Sequence, residues 1–244
     1  MASEYLKWKY RDVAPAEKIE LTKAQKRKNW WHYHKWHVIV AAVLLCMAAN
    51  ILYHMLGIGE VRPDYRVAYV GSAYLPDETV DALEAALAEL GEDANGDGNA
   101  VVELRQYVSG GSEESSDAAY FTMAASTKLM ADIADHESYF FLMDDPKTFQ
   151  QGYHALRRMD GTLPADVDQD WESCCVRWAD CPALAGLDLG SYAETLLTAQ
   201  YAGDSQELLE NLYFARRGFW TEKTSANVAA CDALWDALME GVLS

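Results

Sequence analysis

Residues 65–90, YRVAYVGSAYLPDETVDALEAALAEL, decide the fold class. The first six are a compact run of β-formers closed by Gly71-Ser72. The segment from Pro76 on places Leu83, Ala86, Leu87 and Leu90 at helical spacing, with Pro and acids at its start and Gly91 just past its end. A strand followed at once by a helix is half of a crossover unit.

The pattern returns twice downstream. Residues 100–108 read as a strand, 116–134 as a helix, 139–143 (YFFLM) as a strand and 146–159 as a helix. Three strand-helix units with apolar strands predict an α/β domain: a three-layer α/β/α arrangement around a mainly parallel sheet. Beyond residue 160 the signals are weaker. They give a strand at 174–178, a helix at 190–199, a strand or helix end at 212–220 and a closing helix at 224–241.

Upstream lies a different kind of segment. From Trp36 to Gly59 there is no formal charge, and residues 38–58 (VIVAAVLLCMAANILYHMLGI) would span roughly 30 Å as a helix, one bilayer core. Residues 1–37 carry nine Lys or Arg and four Asp or Glu, whereas the rest carries 11 and 34. Lys23, Lys26, Arg27, Lys28 and Lys35 against one end of the span predict an N-terminus in the cytoplasm, with Trp30, Trp31, Tyr33 and Trp36 as an interfacial belt. The apolar core is too long for a cleaved signal peptide, so an uncleaved anchor is expected. The organisation that follows is a basic cytoplasmic tail (1–37), a transmembrane helix (38–59), a linker (60–64) and an extracytoplasmic domain (65–244) at the cell membrane. Asn50 and His54 are the strongly polar residues inside the span; both lie in its outer half and read as tolerated there, near water or a partner helix.

A net charge of −18 and a pI near 4.6 exclude a nucleic-acid partner, whose phosphates need a basic face. Cys174, Cys175, Cys181 and Cys231 permit three disulfide pairings or none.

The sharpest motif is Asp93-Ala94-Asn95-Gly96-Asp97-Gly98-Asn99. Oxygen side chains at the first, third and fifth positions and Gly at the sixth fit a calcium loop, with Asp93, Asn95, Asp97 and Asn99 as the ligand positions. The twelfth position is Leu104, not the bidentate Glu, and an Asn/Gly turn joining helix to strand accounts for the same residues. Calcium is therefore the one cofactor expected. Asp166, Asp168, Asp170 and Glu172 alternate without a Gly and read as a solvated loop. In parallel α/β sheets ligands gather beyond the carboxyl ends of strands. Those ends supply Ser72 and Tyr74 after the first strand and Asp144 and Asp145 after the third, a candidate ligand rim; Asp145-Pro146 also reads as a helix cap. Arg216 and Arg217 beside Phe219 and Trp220 suit a carboxylate or a partner, with local pairing as the simpler account. His32, His34 and His37 read as interfacial side chains, and no catalytic motif is present, so the chain is not expected to be an enzyme.

The stretches NWWHYHKWHVIV (29–40), RVAYVGS (66–72), GEDANGDGNAVVEL (91–104) and YFFLMDD (139–145) resemble a group of single-pass membrane proteins of Gram-positive gut bacteria. Their outer domain is similar to one lobe of an extracellular solute-binding protein. The resemblance implies a membrane-anchored domain that binds a small molecule or a partner protein outside the cell. The alternative is a structural or assembly subunit of a membrane complex, with a membrane protein as partner and no solute.

Overall fold

A computed structural model describes residues 4, 22–55, 62–109, 116–164, 170–196, 199–220 and 224–242. The chain divides into two compact units, residues 1–60 and 61–244.

Among its described residues the first unit holds one long helix, α1 (Lys23–Met55), with no buried residue. It starts where Thr22 and Gln25 cap each other: Thr22 N donates to Gln25 Oε1 at 2.9 Å and Gln25 N to Thr22 Oγ1 at 3.4 Å. The helix is long and apolar enough to cross a membrane, with a mean hydropathy of 2.1 over its best window. It begins 15 residues before the apolar run, so the basic flank expected as a tail is helical as well. His34 stacks on Trp30 and its Nδ1 lies 2.9 Å from the Trp30 carbonyl, one turn back.

The second unit is a mixed α/β domain. Its strands are β1 (Tyr65–Gly71), β2 (Val102–Val108), β3 (Phe140–Met143), β4 (Cys175–Arg177), β5 (Ser191–Leu196), β6 (Ala199–Asp204) and β7 (Tyr213–Arg216). Its helices are α2 (Asp77–Leu90), α3 (Ser116–Asp135), α4 (Pro146–Tyr153), α5 (Pro182–Ala185), α6 (Ser205–Leu209) and α7 (Val228–Leu238). Five strands form one sheet in the order β2-β1-β3-β7-β4. β1 lies parallel to both β2 and β3, while β7 runs antiparallel to β3 and β4. The expected mainly parallel sheet is thus only partly parallel, because β7 enters the sheet between β3 and β4 in the opposite direction.

Alternation along the strands sorts the core into two clusters. Tyr65, Val67, Phe140, Leu142, Val176 and Phe214 join Leu83 and Leu87 of α2 and Leu234 and Trp235 of α7. Phe140, Phe214 and Trp235 stack there, with ring centroids 5.4 and 5.8 Å apart along the series. Ala68, Phe141, Met143, Cys175 and Ala215 instead meet Leu129 of α3 and Phe149 of α4. The strands β1, β3 and β7 therefore bury residues on both faces, whereas the edge strand β2 carries Glu103, Arg105 and Gln106 half-buried between its core positions.

Two expectations need correction. Residues 190–199, expected as a helix, lie in the antiparallel β5–β6 hairpin, which pairs Ser191 with Asp204. The helix expected to reach residue 159 stops at Tyr153, where His154 adopts φ 50° and donates its N–H to Gln150 O. All five cysteines are free thiols, so none of the three disulfide pairings forms.

Candidate functional site

Parallel pairing of β1 with β3 sets Val70 beside Met143, so the residues that follow leave the sheet together. The Ser72 N–H donates to Asp144 Oδ2 at 2.8 Å, and Asp144 N–H donates to Val70 O. On the other side Ser109 N–H donates to Gly71 O. The carboxyl ends of β1, β2 and β3 are thus tied into one rim. A Cβ on Gly71 would stand 2.2 Å from the Tyr69 hydroxyl, which folds over the turn to donate to Ala73 O at 2.8 Å, so a larger residue there would have to displace that ring. Burial, with Asp144 nearby, pushes the Tyr69 phenol up to about 12. Gln106 completes the turn by accepting from Leu75 N at 2.8 Å.

Of the four expected ligand residues, the structure joins Ser72 to Asp144 directly. Tyr74 stands 72% exposed beside them. Asp145 is committed to the cap of α4, accepting from Thr148 N at 3.0 Å; those hydrogen bonds hold its carboxyl below the usual range.

A second exposed apolar patch lies on the N-terminal half of α3, the helix that follows β2. The last turns of α3 are buried through Leu129 and Asp132, whereas Tyr120, Phe121 and Met123 are 70%, 68% and 71% exposed. Tyr120 lies twelve residues before Asp132, roughly 18 Å along the helix. The N-terminal half of α3 therefore outruns the short strand β3.

The 93–99 loop closes on its own amides. Asp93 Oδ1 accepts from Gly96 N at 2.7 Å and Oδ2 from Gly98 N at 2.8 Å; Asn95 Oδ1 accepts from Asp97 N, and Asp97 Oδ1 from Asn99 N. The hydrogen bond from Gly98 leads the causes that lower the Asp93 carboxyl. Gly96 and Gly98 supply the positive φ values, 78° and 101°. Among the described residues no three His, Cys, Asp or Glu converge to hold a metal ion. A cation here would use the remaining lone pairs of Asp93 and Asp97 with amide and carbonyl oxygens. Asp64, which sequence reading assigned to the linker, holds this loop from below: it is 4% exposed and accepts from Ala94, Asn95 and Val101 amides at 2.8–3.0 Å.

A groove of about 560 Å³ runs between β2 and α3, lined by Arg105, Tyr107, Lys128, Asp132, Asp135 and Glu137. Its floor is a buried polar network that sequence reading did not find. Asp132 accepts from the Tyr107 hydroxyl at 2.8 Å, Ser138 N at 3.1 Å and Ser138 Oγ at 2.7 Å. Arg217 donates to Ser138 O and Ile133 O, and its Nη2 lies 3.5 Å from Asp132 Oδ1. That last contact is an ion pair without hydrogen-bond geometry. At the rim of the groove Arg66 and Arg105 share Glu103 and Glu137.

Arg216 pairs with Asp232 at 3.3 Å and lies over the Trp235 ring, 4.9 Å from its centroid. Both arginines are thereby taken up locally, while Trp220 is 45% exposed. Asp166 and Asp168 fall outside the described residues, and Asp170 pairs with Arg158.

Comparison with known protein families, with curated proteins and with solved structures found no match for this chain.

Proposed function

We propose that this chain is a single-span membrane protein, N-terminus in the cytoplasm, whose outer α/β domain binds a partner protein at the strand-end rim. The observation that carries the reading is the composition of that end. The polar groups of the turn satisfy one another through Ser72 and Asp144, while Tyr74 stands exposed beside them and the protruding turns of α3 add Tyr120, Phe121 and Met123. An open surface with aromatic anchors and a polar border suits a protein better than a small solute, which needs enclosure.

The two core clusters support a three-layer α/β/α domain, the architecture that would make the rim a ligand-gathering edge. The likeness to one lobe of a solute-binding protein belongs to the same reading: a lone lobe has no second wall to close over a solute. Assembly of a membrane complex would use the same rim together with α1. We assign no catalytic role. Calcium at Asp93, Asn95, Asp97 and Asn99 enters as a weak stabiliser of the 93–99 turn rather than as part of the rim.

The test is photo-crosslinking in living cells from a benzophenone amino acid placed at Tyr74 or Tyr120. A discrete adduct with another protein, lost on Asp144→Arg, is the expected result. Absence of any adduct from both positions, with the protein present in the membrane, refutes the partner.

A further inference from the structure

In a helix held in hydrocarbon, a side-chain amide has no water to bond. Asn50 lies twelve residues into the 38–58 run, roughly 18 Å through a core of about 30 Å, and so close to its centre rather than at its outer edge. Its amide carries both donors and an acceptor, and the surrounding side chains are apolar. Along α1 a shallow furrow lined by Ala42, Val43, Cys46, Met47, Asn50 and Ile51 places Asn50 on one face with Cys46 and Val43.

That face extends the whole length of the helix at alternating spacings of three and four. It comprises Gln25, Asn29, His32, Trp36, Ile39, Val43, Cys46, Asn50 and Tyr53. Read as heptads, Asn29, Trp36, Val43 and Asn50 hold the a positions, and Gln25, His32, Ile39, Cys46 and Tyr53 the d positions. None of the nine is charged. Lys23, Lys26, Arg27, Lys28 and Lys35 all lie off the seam, although the first four crowd into six consecutive residues. In a parallel pair Lys28 would face Tyr33 of the second helix across the g–e flank, not another cation.

We propose that two copies of this chain pair side by side through α1, with Asn50 of each bonded to Asn50 of the other. The proposal rests on the reading of α1 as a membrane span. A second copy is the occupant because both copies share one orientation and one depth. A two-fold axis along the membrane normal then sets every seam residue opposite itself without any adjustment of register. An amide is complementary to its own copy, as a single charge is not. A polar Asn at an a position is the residue type that fixes register in such pairs, and interhelical hydrogen bonds of this kind hold helices together in lipid. The same symmetry sets Cys46, one turn from Asn50, against its own copy.

The full-length protein in native membranes, treated with copper-phenanthroline and oxygen, tests this. Two Cys46 thiols lose two protons and two electrons to the oxidant and become one disulfide. The expected product runs at twice 27.2 kDa on a non-reducing gel and vanishes with Cys46→Ser. Asn50→Leu, which keeps the span apolar, should lower the yield about fivefold or more. Moving the thiol to the opposite face (Cys46→Ser with Leu44→Cys) should abolish it. A yield insensitive to Asn50→Leu, equal crosslinking from position 44, or a product containing a different protein overturns the pairing. Carbonate extraction of the same membranes separates the two levels. Protein released by carbonate sinks the span and the pairing together, whereas retained but uncrosslinked protein sinks the pairing alone.

Discussion

Removing the Asp132 carboxylate should destabilise the α/β domain more than any surface change. Asp132 and Arg217 are each 2% exposed in their side chains, and their nearest charged atoms are 3.5 Å apart. At an effective dielectric of about 20 that separation corresponds to roughly 5 kcal/mol of attraction, and breaking one half of a buried pair typically costs about 3–5 kcal/mol. Burial already lowers the Arg217 guanidinium to about 10 against the pull of Asp132, so without the carboxylate its charge has nothing to offset it. Asp132→Ala also strips an acceptor from the Tyr107 hydroxyl and from the Ser138 amide and hydroxyl. For a domain of this size the expected fall in melting temperature is about 10 °C, at roughly 2–4 °C per kcal/mol. Thermal unfolding of the full-length protein in detergent can be followed by near-ultraviolet circular dichroism, which sees the buried Trp178 and Trp235. Asp81→Ala, on the exposed face of α2, should move the midpoint by no more than about 1–2 °C. The double variant Asp132→Ala/Arg217→Met should lose less than the sum of its parts by about 2 kcal/mol or more. A midpoint shift under about 3 °C, or strict additivity, would refute the claim that this pair matters.

Asp145→Ala should cost about 1 kcal/mol by uncapping α4. Because the folded carboxyl lies below its unfolded value, that stabilisation is complete above the unfolded pKa and is lost as pH falls through the folded one. Wild type and variant should therefore converge in acid, checked by urea midpoints from pH 7 down to the acid limit of folding. Glu84 behaves in the opposite sense. Burial raises its carboxyl although it accepts from Leu104 N at 2.7 Å, so it contributes more stability below its unfolded pKa than above its folded one. Glu84→Gln should flatten that part of the pH profile. With calcium tenfold above a millimolar Kd, the gain is only about 1.4 kcal/mol, so melting should rise by a few degrees over chelator and Asp97→Ala should abolish the rise. Equal melting in calcium and chelator would leave the loop as a turn alone.

The crossover units were legible because each carried two signals at once. In β1–α2 the β-forming run, the Gly71 break and the Leu83/Leu87 spacing agree, and the structure follows them to within a residue. Where only one signal was present, tertiary context decided. Residues 191–196 mix Tyr and Thr with helix formers, and pairing with 199–204 settled them as a strand. At the end of α4 the Gly, at position 152, lies inside the last turn, and His154 rather than a Gly supplies the left-handed residue past it. At the candidate site, Ser72, Tyr74 and Asp144 could be placed from strand ends alone, because parallel neighbours finish together. Asp64, Asp132 and Arg217 could not. Most of their partners lie 25 to 85 positions away, and a carboxylate in the sequence Arg62-Pro63-Asp64 looks like any linker residue.

The cysteines bear on the proposed location, since four thiols in an outer domain invite disulfides. The structure spends them instead as small apolar core residues, from 0% to 8% exposed. Cys174, Cys175 and Cys181 donate weakly to the carbonyls of Asp170, Trp171 and Leu238. Burial pushes the thiols of Cys175 and Cys231 up to about 12, so at pH 7 only about one in 10⁵ of either is the reactive thiolate. Buried thiols are shielded from oxidants in solution, so their number alone does not argue against the proposed location. A charged, membrane-impermeant maleimide should accordingly modify none of the five cysteines in native membranes, four being buried and Cys46 lying in the proposed span. After unfolding in detergent and heat all five should react, read by mass spectrometry. Cys175, at 8% exposure the least covered of the four, is the sensitive reporter: its rapid modification in the native protein would show that the thiols are open to oxidation and would reopen the question of disulfides in the α/β domain.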